Sequence, residues 1–310
     1  MNHVRKRNPG HSIIGQLHNC AKANDEEFGY ILARYGVERL LYRLSQSPHA
    51  NDFVLKGAQL FILWKGRSYR VTKDADLLGF GSSDTHRLAG VFRHICAAVP
   101  SDIDGIEFIP ESVRAVTIRG DQEYGGVRVT LTGKLHQAQI HVQIDIGFGD
   151  AITPPPERLV FPTILTLPAP SVLAYPPDTV VAEKFEAMIR LGMANSRMKD
   201  FYDVWLMRTL FAFDGDVLSD AIRNTLRRRS TLLPQGTPVA FTKEFRGDAQ
   251  KQTQWRAFIR RFKPEGIPAS LDTAIEQVTT FLMPVLDCIR KDRHCEQTWP
   301  IGGPWCNKTK

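Results

Sequence analysis

The sequence predicts a mixed α/β domain followed by a helical domain. Three observations predict it. Apolar and polar residues alternate through VRVTLTG (127–133) and AQIHVQIDIGFG (138–149), the period of half-buried strands. Helical spacing dominates on either side, in Phe28, Ile31, Leu32 and Tyr35 before these strands and from Asp178 onward after them. Between the two regions runs TPPPERLVFPTILTLPAPSVLAYPPD, too rich in proline for a helix or a central strand, and it reads as a linker. The expected domains are 1–165, with 1–25 a loose lead-in, then a helical domain at 166–290 and a C-terminal tail at 291–310.

In chain order, a helix is expected at about 27–44, with a slip of phase at Gly36. FVLKGAQLFILW is a short helix or a strand leading into one, RVTKDADLLGF a strand, and 86–99 an amphipathic helix. In the second half of the alternating region Ile140, Val142, Ile144 and Ile146 point one way, and His141, Gln143 and Asp145 the other. Helices follow at about 178–193, 198–212, 216–227, 250–262 and 269–290, with Asp178 an N-cap after the double proline.

Composition excludes several classes. With 310 residues, 43% of them apolar and 24% charged, the chain can bury a sizeable core and is not a disordered protein. The net charge of +7 favours phosphate-bearing partners without saying which. No apolar run approaches the ~18 residues of a membrane span, and the N-terminus lacks a secretory signal. The five cysteines are odd in number and widely spaced, which suits a reducing cytoplasm; Cys288, His294, Cys295 and Cys306 lack the close Cys pairs of a structural zinc site.

The candidate chemistry starts at Asp74 and Asp76. On a strand, residues two apart share a face, so the two carboxylates project together. Like charges held that close suit a divalent metal, although solvated surface acids are the commoner meaning of such a pair taken alone. Asp145 lies on the polar face of a strand whose other face is aliphatic; that face borders a cleft or solvent. Lys184 falls in the apolar stripe Val180, Lys184, Ala187, Met188, Leu191 and needs a partner or a path to water. Asp203 shares a stripe with Met207 and Leu210, with Asp200 one turn before it; capping and an ion pair with Lys199 are the local alternatives. Gly57 either lets a phosphate approach the backbone or is an ordinary turn glycine. Arg227, Arg228, Arg229, Arg256, Arg260, Arg261 and Lys263 form either an RNA-facing patch or a solvated face.

Taken in order, "VLKGAQLF", "RVTKDADL", "IDIGFGD", "AEKFEAMIRLG" and "SRMKDFYDVW" resemble the AbiEii/AbiGii toxin nucleotidyltransferases over about residues 30–285. The resemblance implies a polymerase-β-like nucleotidyltransferase core followed by a helical domain that completes the active site. It implies Mg²⁺ (or Mn²⁺) as cofactor and a nucleoside triphosphate as substrate. Asp74, Asp76 and Asp145 would be metal ligands, with Lys184 and Asp203 joining them as catalytic residues. Lys56, Gly57, Ala58, Thr72, Lys184 and Asp200 would bind nucleotide. Ala58 stands where the family has a second glycine or a serine, which removes a hydroxyl from the phosphate site. The resemblance further implies a cytoplasmic toxin of a toxin–antitoxin or phage-defence pair, with no membrane partner. Its acceptor would be RNA, a tRNA 3′ end foremost, and its partner a cognate antitoxin. A protein acceptor such as the antitoxin, or a non-catalytic RNA- or partner-binding role, are the alternatives.

Overall fold

The computed structural model describes residues 9–118 and 125–308 and divides into two compact units. The first holds Met1–Gly149 with Glu157–Ala174, the second Asp150–Pro156 with Tyr175–Lys310.

The first unit is built on a seven-stranded mixed sheet. Its strands are β1 (Phe53–Lys56), β2 (Ala75–Gly79), β3 (Ile106–Ile118), β4 (Gly126–Leu135), β5 (Ala138–Phe148), β6 (Glu157–Val160) and β7 (Ser171–Ala174). They lie in the order β3-β4-β5-β2-β1-β7-β6. β2 pairs parallel with β5, and β1 with β7; the other neighbours are antiparallel. Four helices accompany the sheet: α1 (Pro9–Ala23), α2 (Phe28–Ser45), α3 (Gln59–Lys65) and α4 (Thr85–Ala97).

One face of the central strands is apolar and carries α2 and α4. Ile140, Val142, Ile144 and Ile146 of β5 are all buried, each contributing roughly 1.5–3 kcal/mol by removal from water. Ala75, Leu77, Val142 and Ile144 meet Val37, Leu40 and Leu41 of α2 and Phe92 of α4. The phase slip at Gly36 has a packing cause: a Cβ there would lie 2.6 Å from Ile140 Cγ2, so the missing side chain lets α2 approach the sheet. Alternation then sends Asp76, Asp145 and their neighbours to the opposite face.

Several expectations need correction. Residues 9–23 form α1 rather than a loose lead-in; Ile13, Leu17 and Ala21, each four apart, are buried, and the helix packs on α2 and β4. Residues 1–8 lie outside the described residues. RVTKDADLLGF is strand only from Ala75. The proline-rich passage is not a plain linker, for it supplies β6 and β7. Neither strand contains a proline, and β6 sits at the sheet edge, where proline-flanked segments are tolerated.

The second unit is mainly helical: α5 (Pro177–Leu191), α6 (Met198–Leu210), α7 (Gly215–Arg228), α8 (Lys243–Gly247), α9 (Ala249–Phe262) and α10 (Leu271–Arg290). A small antiparallel sheet joins β8 (Phe213–Asp214), β9 (Gln297–Trp299) and β10 (Cys306–Asn307). Residues 291–308 are therefore no loose tail. Trp299 is buried and donates to Arg208 O at 2.7 Å, while Trp305 stacks on Phe281 with ring centroids 5.7 Å apart. Burial of the Trp299 indole and stacking of Trp305 explain why so polar a stretch stays packed. Arg229 is not a surface cation: it meets Asp150 at 2.9 Å, Glu183 at 3.3 Å and Glu186 at 2.8 Å. No helix among the described residues is long and apolar enough to cross a membrane.

Candidate active site

Four charged residues line up across four adjacent strands. Lys56 of β1 is the register partner of Asp76 of β2; Asp76 partners Asp145 of β5; Asp145 partners Arg128 of β4. Register partners share a face, so the sheet carries a row of charges, positive, negative, negative, positive, on the side away from α2. The pattern is invisible along the chain, because only strand pairing makes these four residues neighbours.

Gly57 shapes the site beside this row. It joins β1 to α3 with φ +74°, a left-handed conformation that L side chains resist. A Cβ on Gly57 would lie 2.0 Å from Asp76 Oδ2. The Asp76 carboxylate therefore lies directly over the bare glycine backbone. Ala58, the next residue, is buried.

Asp74 stands one residue ahead of β2 and is exposed, whereas Asp76 is half-buried within the strand. Its backbone carbonyl accepts from Gln59 Nε2 at 3.3 Å and from Thr72 Oγ1 at 3.5 Å. Thr72 and Gln59 thus fix the backbone from which the carboxylate pair projects. Gln59, like Arg128, was not foreseen; its position two residues after Gly57 was the available signal.

Arg128 grips Asp145 with both arms: Nε to Oδ1 and Nη2 to Oδ2, each at 2.8 Å. The hydrogen bond to Asp145 is the main reason the guanidinium holds its proton more firmly than usual; burial opposes this, and the Asp145, Asp74 and Asp76 charges add to it. The fields of all three carboxylates thus converge on one arginine.

Lys184, Asp200 and Asp203 form a cluster of their own in the second unit. Lys184 Nζ on α5 donates to Asp200 Oδ1 at 2.9 Å and to Asp203 Oδ2 at 2.8 Å, both on α6. Arg197 Nε donates to Asp200 Oδ2 at 2.5 Å. Asp200 and Asp203 are 0% and 1% exposed, so neither is a solvated acid. Burial disfavours a charged Asp200, but Lys184 and then Arg197 outweigh it and hold the carboxyl well below the usual range. The lysine in the apolar stripe of α5 has its partners, and the oddity of Asp203 on α6 has the same explanation.

The donor set can be tested against a divalent metal. Among the described residues no three His, Cys, Asp or Glu side chains form a metal cage. Mg²⁺ seldom uses one: it takes one or two carboxylates and completes its shell with water and substrate phosphates. Asp74 and Asp76 fit that requirement. Asp145 meets it less well, since both its oxygens already accept from Arg128.

Residues 39–277 match the family described as nucleotidyl transferase AbiEii toxin, type IV TA system. Among solved structures, the chain is similar to a candidate nucleotidyltransferase from H. pylori at 12% identity and a TM-score of 0.47, covering 83% of this chain and 94% of that one. It is also similar to JHP933 from Helicobacter pylori at 12% identity and a TM-score of 0.43, covering 82% and 90%. No curated protein matches it.

Proposed function

The chain belongs to the AbiEii nucleotidyl transferase toxin family of type IV toxin–antitoxin systems, and from that premise we propose that it transfers NMP from an NTP to the 3′ end of an RNA, a tRNA foremost. The observation that carries this is the Asp76 carboxylate lying over the bare backbone of Gly57, with Asp74 two residues ahead of it in the chain.

In this scheme Asp74 and Asp76 hold Mg²⁺ or Mn²⁺, and Lys56, Gly57, Ala58 and Thr72 line the nucleotide. A bound divalent metal supplies charge neutralisation on the phosphates and a lower pKa for the attacking hydroxyl. The RNA 3′-oxygen forms a bond to the α-phosphorus as the bond to the β-phosphate bridging oxygen breaks, releasing pyrophosphate; the hydroxyl proton goes to solvent. Asp145 is the positioning residue for Arg128, whose guanidinium is held beside the carboxylate pair. In the second unit Asp200 and Asp203 hold Lys184 charged and oriented, with Arg197 balancing Asp200.

The family places the chain in a pair with an antitoxin, which is its protein partner. Incubation with each α-labelled NTP and total RNA tests the reading, and nuclease against protease treatment of the product identifies the acceptor. Protease-sensitive, nuclease-resistant label would move the acceptor to a protein side chain.

A further inference from the structure

α9 has the composition of a surface that awaits a polyanion. Its sequence, AQKQTQWRAFIRRF, contains no acid. Lys251, Trp255 and Phe258 are buried, and the helix packs on α6, α8 and α10. Arg256, Arg260 and Arg261 are exposed, as is Lys263 just beyond the helix. Arg256 and Arg260, at i and i+4, share one side of the helix, Arg261 lies about 100° round from Arg260, and the run from Arg256 to Lys263 spans about 10 Å along the axis.

Their surroundings differ from those of five other arginines of this unit. Arg190, Arg197, Arg223, Arg246 and Arg290 each meet a carboxylate. Among the described residues, none of the four α9 cations does; Arg256 bonds Thr253 at 3.0 Å and Arg261 lies over the Phe262 ring. Like charges four residues apart weaken a helix. The helix dipole favours cations in the last turn and accounts for Arg260 and Arg261, but not for Arg256. The exposed residue between them is Ala257, and the exposed residues one to two turns before them are Gln250 and Thr253, with no large apolar side chain. A protein interface needs apolar or aromatic anchors at its centre, whereas a phosphate backbone needs only spaced donors.

We infer that the exposed side of α9 docks the phosphate backbone of the RNA acceptor, through Arg256, Arg260, Arg261 and Lys263. This rests on the reading that the acceptor is RNA. It also divides the basic residues of the helical unit: the α9 cations contact RNA, and Arg229 serves the fold.

The test uses a fluorescein-labelled stem-loop RNA with a single-stranded 3′ end, titrated by anisotropy from about 50 to about 200 mM KCl. The Arg256→Gln/Arg260→Gln/Arg261→Gln variant is compared with Arg227→Gln/Lys291→Gln/Arg293→Gln, which removes the same charge elsewhere. The α9 variant is expected to lose roughly tenfold or more in affinity, with a slope of log K against log salt about 2 units shallower. The control variant should change both much less. Equal losses in the two variants, or none in the α9 variant, would overturn the inference. Retained Mn²⁺-dependent NTP binding shows that each variant is folded. Wild-type protein that binds NTP with metal but no RNA would defeat the α9 inference alone; RNA binding through α9 without NTP binding would defeat the nucleotidyl-transfer reading alone.

Discussion

Arg128 holds both carboxylate oxygens of Asp145 at 2.8 Å, across two strands that bring together residues 17 positions apart. A bidentate arginine pair is strong and geometrically selective. Asp145 therefore has little left to offer a metal. The Asp145→Asn variant is expected to keep its Mn²⁺ affinity within about threefold, whereas Asp76→Asn should lose roughly tenfold or more. Calorimetric titration with Mn²⁺ measures both; equal losses would return Asp145 to the metal ligands.

Gly57 meets two demands at once, a positive φ and contact with Asp76. Gly57→Ala should cost about 1–2 kcal/mol of stability and should displace the Asp76 carboxylate. Transfer is expected to fall by about two orders of magnitude. Urea unfolding and a rate assay together test this. A stable, fully active variant would mean that the carboxylate moves aside without consequence.

Arg229 is the hub of a buried acidic cluster formed by Asp150, Glu183 and Glu186. Removing it leaves buried carboxylates uncompensated. Arg229→Met should destabilise the helical unit by about 3–5 kcal/mol at neutral pH. Part of that loss should be regained in acid, where the carboxylates protonate. Urea midpoints at neutral and acidic pH read the effect, and a pH-independent loss would point to packing alone.

Glu38 on α2 is 1% exposed, and burial pushes its carboxyl up to about 7 despite Arg39 at 3.0 Å and the Ile164 N–H at 2.7 Å. A carboxyl raised in the folded state stabilises fully below its unfolded pKa and loses that contribution as pH rises through the folded one. Between about pH 4.5 and pH 7, Glu38 should therefore cost stability on the order of 3 kcal/mol. The wild type should lose more stability from pH 5 to pH 8 than Glu38→Gln does, and identical pH dependence in urea unfolding would contradict this.

The legible parts of this fold were those with a clean period. β5 shows its buried Ile140, Val142, Ile144 and Ile146 by alternation, and α5 and α6 show theirs at helical spacing. α1 escaped because its buried stripe is only Ile13, Leu17 and Ala21 in a polar segment. β6 and β7 escaped because each is a four-residue strand within the five residues between two prolines, too short for a period to register. Within the site, Asp74, Asp76, Gly57, Lys184 and Asp203 stood out by residue type and local context. Arg128 could not, since its partner is fixed by strand register. The contact of Lys184 with Asp200 and Asp203 joins two helices and was likewise out of reach of either helix alone.

The most direct measurement is transfer of label from each α-labelled NTP to RNA, with Mg²⁺ or with chelator, by the wild type and by Asp76→Asn. Metal-dependent, nuclease-sensitive label from the wild type, reduced at least about a thousandfold in the variant, is the expected result. Undiminished transfer by a folded Asp76→Asn protein, or transfer that persists in chelator, would contradict the assignment of Asp74 and Asp76 as the centre of the reaction.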